Sequence, residues 1–215
     1  MEGAKQSHFI LVHGVCHGAW SWYKLKPLLE SVGHRARPGC LRHQPKGHQG
    51  SIPCISIPSP EPLLEILAAL PSGERVILAG HSLGGLNLAL AMDKFPKKIS
   101  VGVFIAAFMP DTTHRPSYVL DQDLELAETL IRLGSLFIQD LAKANEFSNE
   151  GYGSARRAYV VCNEDKAIPE EFQRWMIENS PVNDMMEIKD ADHIAMLSKP
   201  SELCQCLLEI GRKYN

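Results

Sequence analysis

The chain has 215 residues, a formal charge of −3, and 45% hydrophobic against 22% charged residues. That size suits one domain with a sizeable core, and the balance excludes both the basic footprint of a nucleic-acid binder and the low hydrophobicity of a disordered chain. Cys16, Cys40, Cys54, Cys162, Cys204 and Cys206 follow neither a disulfide framework nor zinc-ligand spacing, so they read as reduced thiols, and no metal or other cofactor is expected.

Met1 to His8 lacks the apolar stretch of a secretory signal and no run is long enough to cross a bilayer, so a cytoplasmic protein is the expectation. His8 to Val12 then reads as a strand, followed by the loop His13 to Trp20 and a helix from Trp22 to Val32 that stops at Gly33. The interval Ala36 to Pro60 fits neither period. Pro38, Pro45, Pro53, Pro58 and Pro60 interrupt it where a doubly wound domain should supply a strand.

Val76 to Ala79 is a strand running into Gly80-His81-Ser82-Leu83-Gly84, and Leu83 to Phe95 is a helix that ends before Pro96. Strand Val101 to Ala107 follows, then a helical stretch from Asp123 to Ala144 whose Leu126, Leu130, Leu133, Phe137 and Leu141 form a core-facing stripe. Strands Ala158 to Cys162 and Met185 to Ile188 alternate with helices Pro169 to Asn179 and Pro200 to Lys213, the second carrying Cys204 and Cys206. Alternation of this kind predicts an α/β protein, a mostly parallel sheet flanked by helices.

The Gly-x-Ser-x-Gly string between strand and helix has the form of a nucleophile elbow, a sharp turn where any Cβ at the flanking glycines would collide with a neighbouring strand or helix. A serine hydroxyl is a weak nucleophile at neutral pH, so it needs a histidine base within reach and a carboxylate to orient that base. Asp165 follows the strand Ala158 to Cys162 and His193 follows the strand Met185 to Ile188, which gives the order Ser82, Asp165, His193 at the carboxyl ends of strands. Glu164 and Asp192 are rivals for the acid, although Asp192 adjoins His193 and would have difficulty reaching its Nδ1. The backbone N–H groups of Val15 and Leu83 are the candidate oxyanion donors, and His13 and His17 read as turn histidines bonded to nearby backbone.

The segments Phe9 to Trp20, Val76 to Asn87, Phe104 to Asp111, Cys162 to Pro169 and Asp190 to His193 resemble the plant methylesterase and hydroxynitrile lyase group of α/β-hydrolases. The lyases of that group have threonine where Gly14 stands and lysine where Ile194 stands, so the resemblance points to the esterase branch, whose members act on methyl salicylate, methyl jasmonate or methyl indole-acetate. By that resemblance Ser82 is the nucleophile, His193 the base, Asp165 its orienting acid, Val15 and Leu83 the oxyanion hole, and His81, Phe108 and Ile194 line the acyl pocket. The implied partner is a small-molecule ester, with no nucleic acid, no membrane and a homodimer left open. A catalytically impaired isoform that keeps the acid product, and a hydroxynitrile lyase, are the alternative readings.

Two stretches depart from the group. Gln122 runs into Asp123 where the group carries roughly forty to fifty further residues of a cap domain, so residues 1–110 and 148–215 read as the hydrolase core and 111–147 as a cap remnant. Codons for Pro38 to Gln44, read one base later, can spell Leu-Asp-Ala-Ser-Gly-Ile as in the group. A local shift of frame, restored near Glu61, is therefore expected, with a central strand lost to a proline-rich segment.

Overall fold

The computed structural model describes residues 6–39, 60–122 and 143–215. Strands β1 (His8–Val12), β2 (Arg35–Gly39), β3 (Val76–Ser82), β4 (Ile99–Ala107), β5 (Arg157–Cys162) and β6 (Asp184–Ile188) form one sheet in the order β2-β1-β3-β4-β5-β6. Every adjacent pair is parallel. Helices α1 (Leu25–Ser31), α2 (Glu61–Ala68), α3 (Gly84–Lys94), α4 (Tyr118–Asp121), α5 (Glu170–Asn179), α6 (Ala195–Ser198) and α7 (Pro200–Tyr214) accompany it.

Helices on both faces explain why the central strands are apolar without alternation. Successive side chains point to opposite faces, so Ile10, Val12, Val76 and Leu78 join one core with Leu63, Leu88 and Met176, while Phe9, Leu11, Ile77 and Ala79 join the other with Leu25, Leu203 and Leu207. β3 and β4 are buried at every position. Their predicted starts and ends extend by a few residues because the ladder continues past the most apolar stretch.

The helix expected from Trp22 to Val32 is divided into a 3-10 turn, Ala19–Trp22, and α1, with Gly33 at φ 89° as its stop. Cys204 and Cys206 lie on α7, which ends with Arg212 and Lys213 at the electronegative end of its dipole.

The expected loss of the strand after α1 is corrected. β2 pairs with β1 from His8 opposite Arg35 to Val12 opposite Gly39, placing Pro38 opposite Leu11. A proline lacks an N–H, and it is accommodated here because β2 lies at the edge of the described sheet. The rest of the proline-rich interval, with the proposed frame shift, falls outside the described residues, as does nearly all of the stripe from Leu126 to Leu141.

Candidate active site

β3 ends on Ser82, whose φ of 55° is the left-handed conformation a non-glycine residue avoids. Holding it there costs about 1–3 kcal/mol, met by the packing of its neighbours. A Cβ at Gly80 would lie 2.6 Å from Leu88 Cδ1 on α3, and one at Gly84 would lie 2.8 Å from the His13 carbonyl oxygen. Both glycines are therefore required by close approach, as the elbow pattern predicts. The Phe108 N–H donates to the Ser82 carbonyl at 3.1 Å, fixing the turn from the β4 side.

Asp165 stands on the loop after β5 with its side chain fully buried. Its Oδ1 accepts the N–H groups of Ala167 and Ile168 at 2.7 and 2.9 Å, and its Oδ2 accepts from His193 Nδ1 at 2.7 Å. Because a carboxylate with both oxygens so occupied can only accept, the proton of the neutral imidazole sits on Nδ1 and leaves Nε2 as a lone pair. That is the tautomer a general base needs.

The rival acids are engaged elsewhere. Asp192 Oδ1 accepts the Ile194 N–H at 2.9 Å and the Ser198 hydroxyl at 2.7 Å, and Glu164 is exposed beside Lys166. Backbone contacts bind the acid and base loops to each other: the Glu164 N–H donates to the Ala191 carbonyl at 2.9 Å, and the Asp190 N–H to Asn163 Oδ1 at 2.8 Å.

The loop after β1 packs directly on the elbow. A Cβ at Gly14 would lie 2.7 Å from Ser82 Cβ and 3.2 Å from its Oγ, so the residue before Val15 touches Ser82, while Leu83 follows Ser82 as the N-cap of α3. His13 Nδ1 donates to the Gly14 carbonyl at 2.9 Å and His17 Nδ1 to the Val15 carbonyl at 2.8 Å, the turn-bonding role expected of them.

The three residues expected to line an acyl pocket lie beside Ser82 and His193. Phe108 is buried one residue past the end of β4, and Ile194 is half-buried after His193. His81 is fully buried, and its Nε2–H donates to the His193 carbonyl at 2.7 Å. Burial holds the His81 imidazole well below its ordinary pKa, assisted by the neighbouring His193, so the ring is neutral.

Two supports were not legible in the motif. Gln173 on α5 is fully buried and brackets the acid loop: its Oε1 accepts the Cys162 N–H at 3.0 Å, and its Nε2 donates to the carbonyls of Cys162 at 3.0 Å and Ile168 at 2.7 Å. Tyr159 donates its hydroxyl proton to the Ala107 carbonyl at 2.8 Å and accepts the Ala107 N–H at 3.1 Å where β4 leaves the sheet. A glutamine on the Met176 face of an otherwise amphipathic helix was the available signal for the first. Among the described residues, no group of three or more His, Cys, Asp or Glu side chains could hold a metal ion, and no helix is long and apolar enough to cross a membrane.

A parallel sheet with a strained serine at the end of β3 and an Asp–His pair on the loops after β5 and β6 has the architecture of the α/β-hydrolases. The chain belongs to the alpha/beta hydrolase family, which it matches over residues 9–144. Its relatives place it in the plant methylesterase group. It is 47% identical to Methylesterase 1 of Arabidopsis thaliana, over 99% of each chain, and 44% identical to Salicylic acid-binding protein 2 of Nicotiana tabacum, over 97% of this chain and 98% of that one. Among solved structures, polyneuridine aldehyde esterase superposes with a TM-score of 0.82 at 40% identity, covering 96% of this chain and 99% of that one. Tomato Methylketone Synthase I does so at 0.80 and 30% identity, covering 98% and 100%. The alignment with Methylesterase 1 spans 262 positions against 215 residues here, so that relative carries internal residues without counterpart in this chain.

Proposed function

We propose that this hydrolase cleaves small methyl esters of plant hormone acids, methyl salicylate, methyl jasmonate or methyl indole-acetate, through an acyl-serine. Ser82 Oγ attacks the ester carbonyl while His193 Nε2 takes its proton, and the N–H groups of Val15 and Leu83 receive the developing oxyanion. His193 returns the proton to the departing methanol, and water then repeats the sequence on the acyl-serine. Asp165 keeps the imidazole in the reactive tautomer and balances the imidazolium. The observation that carries this reading is the 2.7 Å contact between His193 Nδ1 and Asp165 Oδ2, with the other carboxylate oxygen saturated by backbone. His81, Phe108 and Ile194 supply an apolar acyl pocket, which suits an aromatic or cyclopentanone acid.

The residues at positions 14 and 194 speak against the lyase reading. The lyases of the group carry threonine and lysine where Gly14 and Ile194 stand here, and a threonine Cβ would need the Ser82 side chain, 2.7 Å away in this chain, to give way. A second reading, an isoform that retains the acid product, draws on the internal residues this chain lacks relative to Methylesterase 1, since less cover over the pocket means less exclusion of water. Residues 1–110 and 148–215 are assigned to the hydrolase core and 111–147 to a cap remnant. Cytoplasmic action is consistent with the unpaired buried thiols of Cys162, Cys204 and Cys206.

Purified protein assayed with 4-nitrophenyl acetate and methyl salicylate tests the proposal. Turnover that disappears in Ser82→Ala supports ester hydrolysis. Salicylate binding by calorimetry without turnover of either ester supports the second reading.

A further inference from the structure

The three loops that carry Ser82, Asp165 and His193 are not equally tied together. The acid and base loops follow adjacent strands, β5 and β6, and are joined by the Glu164 N–H to Ala191 carbonyl bond, the Asp190 N–H to Asn163 bond and the Asp165–His193 contact itself. The nucleophile follows β3, and β4 and β5 lie between it and β6. Three strand spacings separate the two ladders, about 14 Å, too far for any backbone pairing to set the position of the base relative to the serine.

Among the described residues, a side chain from the elbow itself reaches the base. His81, the residue before the nucleophile, reaches the backbone of the base itself through its Nε2–H to the His193 carbonyl at 2.7 Å, over 112 residues of sequence. The two rings lie 4.6 Å apart between centroids. A carbonyl only accepts, so Nε2 carries the proton of a neutral His81, while Nδ1 is buried without a partner among the described residues. Leaving a buried acceptor unsatisfied is unfavourable, so a histidine at this position is not explained by packing alone.

We propose that His81 is a positioning residue, whose Nε2–H holds the His193 backbone at the nucleophile elbow and so sets the distance between Ser82 and the lone pair of His193 Nε2. The inference rests on the hydrolase reading above. Without the tether the base loop stays bound to the acid loop, and the Asp165–His193 pair survives. What relaxes is the approach of that pair to the serine, where a displacement of about 1 Å costs on the order of 100-fold in rate.

The amide nitrogen of glutamine can occupy the place of Nε2, whereas that of asparagine, one bond shorter, falls near Nδ1. The test is kcat and KM for 4-nitrophenyl acetate in the whole chain and in His81→Ala, His81→Asn and His81→Gln, with circular dichroism and thermal unfolding to establish folding. The expected result is a fall in kcat of about 30- to 100-fold in the alanine and asparagine variants, larger than any change in KM from the altered acyl pocket, and recovery to within about fivefold of the parent in the glutamine variant. A folded His81→Ala with the parent kcat, a change confined to KM, or a glutamine variant no better than asparagine overturns the inference and leaves the hydrolase reading standing. Turnover that persists undiminished in Ser82→Ala overturns both.

Discussion

Asp165 has no slack. Both oxygens are occupied and the side chain is sealed from solvent. An asparagine at 165 keeps the shape but offers an amide N–H₂ to His193 Nδ1, reversing the tautomer, so Asp165→Asn should lose about 10⁴-fold in kcat while retaining its melting temperature to within a few degrees. Gly14 makes a complementary prediction. Gly14→Ala brings a methyl against Ser82, and the strained elbow must shift, so kcat should fall by at least about tenfold in steady-state assays. The proposed triad was legible in the sequence because three residue types recur in a fixed order at strand ends. The preference for Asp165 over Asp192 was also legible, from the adjacency of Asp192 to His193, but the engagement of Asp192 with the Ile194 N–H and the Ser198 hydroxyl was not.

At the scale of elements, α5 does more than cover the sheet. Its Gln173 supplies the polar partners for both ends of the acid loop, which a run of apolar residues could not do. Gln173→Met would leave the Cys162 N–H and the Ile168 carbonyl without the partner Gln173 supplies, the Cys162 carbonyl keeping the Asp165 N–H, and should cost about 3 kcal/mol in urea unfolding, with kcat falling further than stability alone requires because Asp165 loses its support. The strands were read from apolar runs, and their boundaries moved by a few residues because hydrogen-bonded pairing extends beyond hydrophobicity. β2 was missed for a physical reason: its sequence, Arg-Ala-Arg-Pro-Gly, buries little and includes a proline, and only its place at the edge, against β1, makes it a strand.

For the molecule as a whole, the buried neutral His81 links stability to pH. The unfolded chain takes up a proton at this residue below about pH 6.5, while the folded ring, its pKa held well down by burial, stays neutral. Stability is thus complete above that value and is lost as the pH falls, by about 1.4 kcal/mol per pH unit until the folded-state pKa is reached. His34, lowered by burial and by Arg212, acts in the same direction. Glu74, held down first by its hydrogen bond to His8 and then by Arg35, contributes only at lower pH, below about 4.5. The melting temperature should therefore fall between pH 7 and pH 5.5, and fall less in His81→Gln. An equal fall in both proteins would remove His81 as the source.

Asp93, near the end of α3, grips the chain ahead of β5: its Oδ1 accepts the Ser148 N–H at 2.9 Å, the Ser148 hydroxyl at 2.6 Å and the Tyr152 N–H at 3.1 Å. Gly151 lies so close that an added Cβ would be 2.4 Å from the same oxygen. That seam clasps the chain ahead of β5 to α3, so the entry to β5 is fixed from the helix at one carboxylate oxygen. Asp93→Ala removes three hydrogen bonds to that clasp at once, and hydrogen exchange at the Ser148 and Tyr152 amides should accelerate well before that of the β3 and β4 amides.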